Sequence, residues 1–438
     1  MFEVLPGFRD FTPAACAVRN AIFTKWRSTA RIFNFEEFDG PVLESLELFT
    51  KKSGEEITEQ LFNFEDKGGR QIALRPEMTP SLVRILGKNL AVLKKPTKWF
   101  NITENFRYER PQKGRLRSFY QFNADIIGEE TFSADAELIA LAIQSFKNFG
   151  LTREHFYVRL SDRQLWMLWL QGFGIKDFEL AQKVLAVCDK LERKPCQVIE
   201  DDLSKILPES ISPAVFYKLT QRLRSSETLT EIRTCFQELM EWKAVTEVLE
   251  HRLVEFERLL QRLQALQCDE YVSIDLNIVR GLAYYTGFVF EVFEVGDQGR
   301  ALAGGGRYDQ LFEKLTGHAM PSVGFAAGDV TLTDILEKNR LLPAVSTGVD
   351  VFVIFDEIMQ NQALQWAQNF RCAGYITSYH LGEVKSITKQ LKKAFSEGAR
   401  NIVIFTQEAV MNGKAQVRYT MDKTETTVNI SELLQVIR

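Results

Sequence analysis

At 438 residues the chain is longer than one ordinary domain, and two or three are expected. A composition 45% hydrophobic and 26% charged is that of a globular protein, and a formal net charge of -4 excludes a surface that is basic throughout. Six scattered cysteines with no CxxC pair exclude a disulfide framework, and no apolar run reaches the ~18 residues of a membrane span, so a cytoplasmic protein with no membrane partner is expected.

Thr12 and Pro13 supply a cap and a first-turn proline for a helix over 14–33. Strand-like runs at 70–75, 98–103 and 118–127 surround a helical period in SLVRILGKNLAVL. Helices and strands that mix without regular βαβ alternation predict an α+β sheet domain. From 175 to 267 the chain turns charged and helical, and Val245, Leu249, Leu253, Phe256, Leu260 and Leu263 form one apolar stripe suited to core packing. Strand signals return at 271–279, at 287–295 and after 300. LLPAVSTG, 341–348, reads as a linker. Beyond it VDVFVIFD, GYITSYH and NIVIFT alternate with helical runs before a hairpin-like close, the pattern of a small α/β domain.

Four stretches could carry chemistry. FRYERPQKGRLRSFYQF, 106–122, places Arg107, Arg110, Lys113, Arg115 and Arg117 within eleven residues, between aromatic side chains and with Glu109 among them. Such charges repel unless water, salt or an anion screens them. The planar forks of Arg107 and Arg115 suit phosphate oxygens, and Phe119 suits a purine; a solvated hairpin tip accounts for the same residues. VRGLAYYTGFVFEV, 279–292, sets Arg280 beside Gly281, where backbone can approach a ligand closely, and adds the hydroxyls of Tyr284 and Tyr285. A strand start with core tyrosines is its plainer reading. AGGGRYDQL, 303–311, fits either close approach to a ligand or a turn. In LRPEMTP, 74–80, Glu77 and Thr79 near the rigid Pro76 could meet an ammonium group. The P-loop pattern GxxxxGK[ST] is absent, so an ATP site here is of another kind.

Taken together and in this order, the four stretches resemble the histidyl-tRNA synthetases, a family of class II aminoacyl-tRNA synthetases, nearly end to end. LPGFRDFTP resembles the N-terminal signature through Gly7, Asp10 and Pro13, and FEEFDGPVLESLELF resembles motif 1, a dimer interface around a proline, here Pro41. FRYERPQKGRLRSFYQF is similar to motif 2, RGLAYYTG and GGGRYD to the two histidine-binding segments, and KQLKKAFSEGARNIVIF to the anticodon-binding domain.

The resemblance implies an α+β catalytic domain with an antiparallel sheet (1–174 and 268–340), a helical insertion at 175–267 and an α/β anticodon-binding domain at 347–438. It implies a homodimer that ligates L-histidine to tRNA(His) through a histidyl-adenylate, with ATP as substrate and Mg²⁺ on its phosphates. Arg107 then holds the α-phosphate and Arg115 the distal phosphates, Phe119 stacks on adenine, and Glu109 lies on the adenine side. Glu77, Thr79 and Gln121 hold the α-amino group, Asp125 and Tyr285 read the imidazole, Tyr284 and Tyr308 complete the pocket, and Arg280 is the catalytic arginine. Four departures are visible. Asp125 stands where the family has glutamate, Ala283 where it has aspartate, Met78 where it has glycine, and Thr331, in VGFAAGDVTLTDIL, where motif 3 has an adenine-facing arginine. A non-catalytic histidine sensor or regulatory subunit on the same fold, or another class II synthetase, are the alternatives.

Overall fold

The Thr12–Pro13 start caps a helix of 20 residues, Pro13–Ile32, in which the Thr12 hydroxyl accepts from the Ala15 amide at 3.4 Å. The computed structural model describes residues 2–50, 60–88, 90, 93–191, 194–239, 242–278, 285–296, 300–345 and 348–437. Two compact units divide the chain, Met1–Pro343 and Ala344–Arg438.

Among the described residues the first unit has eleven strands: β1 (Glu36–Glu37), β2 (Leu43–Ser45), β3 (Asn63–Glu65), β4 (Gln71–Leu74), β5 (Thr97–Phe106), β6 (Ser118–Ile127), β7 (Phe156–Asp162), β8 (Val272–Ile274), β9 (Phe288–Glu294), β10 (Ala303–Arg307) and β11 (Ser322–Gly328). Eight of them form one sheet in the order β1-β5-β6-β11-β10-β9-β7-β8, while β2, β4 and β3 form a small antiparallel sheet. From β5 to β7 every pairing in the large sheet is antiparallel; the short outer strands β1 and β8 pair parallel. This is the α+β architecture that the mixed element order implied.

Strand periodicity divides β6 between two environments. Phe122, Ala124 and Ile126 face the core, where Trp26 of the first helix stacks on Phe122 with ring centroids 5.6 Å apart. Phe119, Gln121, Asn123 and Asp125 point to the other face. Among its described residues the stretch 175–267 holds the helices Phe178–Cys188, Cys196–Ser204, Pro213–Arg224, Leu229–Gln237 and Trp242–Ala265, whose buried side chains join those of the sheet in one apolar cluster. Phe256 packs edge-on against Phe288 of β9 at 5.1 Å, and the Trp169 indole donates to Thr220 at 3.1 Å. Leu229–Gln237 starts with a capping box, in which Thr228 Oγ1 accepts from the Glu231 amide and the Glu231 carboxylate accepts from the Thr228 amide. Thr228→Ala is expected to destabilise this region by about 1 kcal/mol, read as a lower urea midpoint.

Several elements gave no separate signal in the sequence, among them β7 and the helix Arg163–Gly172 that follows it, whereas the strand signal after 300 corresponds to β10, formed by AGGGR. Glycines are needed there because an added Cβ on Gly305 would overlap β11 and one on Gly306 would lie 2.7 Å from Phe288 O.

The second unit carries β12 (Val351–Phe355), β13 (Thr377–Tyr379), β14 (Asn401–Phe405), β15 (Lys414–Tyr419) and β16 (Thr424–Asn429), ordered β13-β12-β14-β15-β16. β12 pairs parallel with β13 and β14, and an antiparallel hairpin completes the sheet. Every residue of β12 and β14 is buried, because alternate side chains enter two separate clusters, one on each face.

Candidate active site

The polar face of β6 forms the floor of a cleft of about 290 Å³. Opposite Gln121, Asn123 and Asp125 the register places Gly328, Ala326 and Gly324 of β11, and beyond them Gly304 faces Ala326 from β10. Small residues on the two central strands hollow the sheet between polar flanks. Gly324 is indispensable to this arrangement, since an added Cβ would lie 2.9 Å from Asp125 Cγ and 3.2 Å from Tyr308 Cε1. The flank on β6 is braced from β5: Asn105 donates to Gln121 Oε1 at 2.8 Å, and Asn123 donates to Asn101 Oδ1 at 2.9 Å.

The structure brings most of the expected residues together. Glu77, Thr79, Arg107, Phe119, Gln121, Asp125, Tyr285 and Tyr308 all line the cleft. Arg280 and Tyr284, and with them Ala283, lie outside the described residues. Tyr308 donates to Asp125 Oδ1 at 2.6 Å. Burial raises the Asp125 carboxyl to about 7; the Tyr308 hydrogen bond opposes this and the nearby Glu77 adds to it. Burial, and then Glu77, Asp125 and Glu291, raise the Tyr285 hydroxyl, so these four groups share one end of the cleft. Met78 is buried and takes no part in the lining.

The basic loop joins β5 to β6 as an ordered excursion. Its ends are tied by Arg107 N donating to Arg117 O at 2.9 Å, and the start of β6 is held by Arg117 and Ser118 amides donating to Gly7 O. Asp329, at the start of the helix after β11, accepts from the Tyr120 amide and from Arg9, both at 2.8 Å, which binds the N-terminal segment to the same site. Arg107 Nε donates to Pro76 O at 3.1 Å, and its guanidinium lies 5.4 Å from the centroid of the buried Phe119 ring. Arg115 forms an ion pair with Glu109 at 2.8 Å and lines an adjoining pocket with Gln112, Lys113 and Arg300. Sequence reasoning missed Glu291, Asn123 and Arg300 in the lining of the main cleft. The alternate small residues of VGFAAG were the available signal for the hollow, and the buried polar row Asn101, Thr103, Asn105 of β5 for its brace.

Residues 7–331 match a family model described as histidyl-tRNA synthetase. The histidine–tRNA ligase of Opitutus terrae is 43% identical over 438 residues, covering 100% of this chain and 98% of its own length. The chain belongs to the histidyl-tRNA synthetase family. The histidine–tRNA ligase of Pyrococcus furiosus is 32% identical, with 100% of this chain and 99% of that protein covered. Among solved structures, the histidyl-tRNA synthetase of Nostoc sp. PCC 7120 superposes with a TM-score of 0.79 at 22% identity, covering 100% of this chain and 99% of that one, which supports the fold. Membership in this family makes the chain an enzyme of the histidine–tRNA ligase class, with ATP as the family's implied co-substrate. No helix among the described residues is long and apolar enough to cross a membrane.

Proposed function

We propose that the chain activates histidine with ATP and transfers the histidyl group to tRNA(His), and that it works in the cytoplasm as a homodimer through its motif 1 segment. The polarity of the cleft is the observation that carries this reading. Glu77, Asp125 and Glu291 gather around Tyr285, whereas Arg107 and Arg115 gather around Arg300. An amino acid with an ammonium group and a ring N–H suits the first group; a nucleoside triphosphate suits the second.

In this reading Glu77, Thr79 and Gln121 hold the α-amino group. Asp125 accepts one imidazole N–H, its position set by Tyr308, and the Tyr285 hydroxyl meets the other ring nitrogen. Arg107 holds the α-phosphate, Arg115 the distal phosphates once it leaves Glu109, and Phe119 receives adenine on the ring face that Arg107 leaves open. Glu109 borders the adenine, Tyr284 completes the histidine pocket, and Arg280 is the catalytic arginine. A histidine carboxylate oxygen attacks the α-phosphorus, the bond to pyrophosphate breaks, and the fixed guanidinium groups hold the developing charge without a proton transfer. A ribose hydroxyl of the RNA then displaces AMP from the histidyl carbonyl. Clusters of three or more His, Cys, Asp or Glu side chains fit to hold a metal do not occur among the described residues. Mg²⁺ would arrive on the ATP phosphates, with Glu291 of the cleft lining available to hold it, and would supply positive charge to the leaving pyrophosphate. The segment 175–267 is assigned to the acceptor arm of the RNA and 347–438 to the anticodon.

ATP–pyrophosphate exchange with each amino acid offered separately tests the reading. Histidine is expected to support exchange, and other amino acids about 10⁴-fold less, because they lack the ring nitrogens that Asp125 and Tyr285 would meet. Histidine binding with no exchange from any amino acid would mark a non-catalytic histidine sensor instead.

A further inference from the structure

Arg300 carries a charge for which the roles above have no use. It lies just before β10 and lines both the main cleft and the pocket that Arg115 shares. Its Nη1 donates to the carbonyl of Gly114 at the tip of the basic loop, and it has no ion-pair partner among the described residues. Gly114 has φ +69°, a left-handed conformation that glycine adopts without strain. An added Cβ there would lie 3.6 Å from Arg300 Cδ and 3.6 Å from Thr331 Cγ2, so Arg300 and Thr331 border the same spot on the cleft rim. Thr331 is short, and its hydroxyl stays near Gly328 O and Leu302 O at 3.4 and 3.5 Å.

The protein packed around the Arg300 guanidinium, and then the like charges of Arg115 and Arg107, lower its pKa; Glu109 and Asp334 act in the opposite sense. Arg300 stands exposed at the rim, Arg115 is paired with Glu109, and the half-buried Arg107 has no ion pair among the described residues. An anionic or aromatic ligand between Arg107 and Arg300 would lower the repulsion between them.

We propose that Arg300 is a nucleotide-positioning residue, which reaches across the rim from the segment before β10 and places on the purine triphosphate the cation that Thr331 is too short to supply. This rests on the reading of the cleft as an ATP site. Room exists on the Thr331 side as well, since Thr331 lines both pockets.

The test compares Arg300→Ala, Arg300→Gln and the exchanged pair Arg300→Ala/Thr331→Arg in steady-state ATP–pyrophosphate exchange. Arg300→Ala is expected to raise the ATP KM roughly tenfold, with the histidine KM and kcat within about twofold. Arg300→Gln keeps a donor for Gly114 O but not the charge, and is expected to show the same loss. The exchanged pair is expected to recover most of the ATP KM. An ATP KM unchanged in Arg300→Ala, full activity in Arg300→Gln, or no recovery in the exchanged pair would each overturn the assignment. If the parent chain shows no histidine-dependent exchange, the activity reading fails on its own, and calorimetric ATP binding by the same variants still decides the role of Arg300.

Discussion

Replacing Arg107 by alanine is expected to lower histidine-dependent ATP–pyrophosphate exchange by roughly 10²–10³-fold, the size of effect seen when one fixed donor to developing charge is removed. The geometry explains why this residue should matter so much. Its Nε is committed to Pro76 O and its plane rests over Phe119, whereas its other nitrogens have no hydrogen-bond partner among the described residues. The fork is therefore held in place before any ligand arrives, and little reorganisation is needed when charge develops on the α-phosphate. The loss should fall on kcat, with calorimetric histidine affinity within about threefold, if Arg107 meets the nucleotide rather than the amino acid as proposed. Arg107→Lys is expected to restore only part of the rate, since an ammonium group keeps the charge but not the two-pronged geometry. Equal losses in histidine affinity and turnover would show instead that Arg107 mainly shapes the Glu77 loop through Pro76.

Much of this site could be read from residue order. Phe119, Gln121 and Asp125 fall in the strand-like run 118–127, which the structure shows as β6 with all three on one face, and Arg107 stands just past the end of β5. The ion pair between Arg115 and Glu109 was not visible, because the loop folds back through the paired Gln112 and Arg115 amides and carbonyls, a matter of turn geometry rather than composition. Arg300 was missed for a different reason. It lies nearly two hundred positions from Gly114 in the chain, and only the order of strands in the sheet brings it to the loop tip. The glycines of β10 left close approach to a ligand and a turn equally open, because their function as a thin strand depends on neighbours that the local sequence does not name. In the second unit the unbroken apolar runs of β12 and β14 marked buried parallel strands directly, so its fold was the more legible of the two.

Asp125→Asn is expected to raise the histidine KM by about 10–150-fold, the cost of losing a hydrogen bond to a charged partner, while leaving the ATP KM nearly unchanged. The same carboxylate should set the pH dependence of histidine use. Its pKa of about 7 arises from burial, opposed by Tyr308 and reinforced by Glu77. A ring N–H needs the ionised form as acceptor, so the histidine KM should climb as pH falls through about 7, approaching about tenfold per pH unit below it. Free imidazole itself titrates near about 6.5, and the Asp125→Asn profile isolates that contribution because it lacks the carboxylate. A KM that stays flat or falls toward low pH in the parent would mean that the cleft takes the imidazolium form. Stability should run the other way. A carboxyl raised from about 3.9 unfolded to about 7 folded binds more protons in the folded state, so its ionisation costs stability as pH rises through that window and the cost is complete above it. Asp125→Asn removes this cost. The variant should therefore gain melting temperature over the parent at pH 8 relative to the comparison at pH 4, in the absence of ligand, even as it loses affinity for histidine. Loss of affinity together with an equal loss of stability at both pH values would assign Asp125 to packing, whereas opposed changes identify a buried carboxylate kept at a cost in order to read the substrate ring.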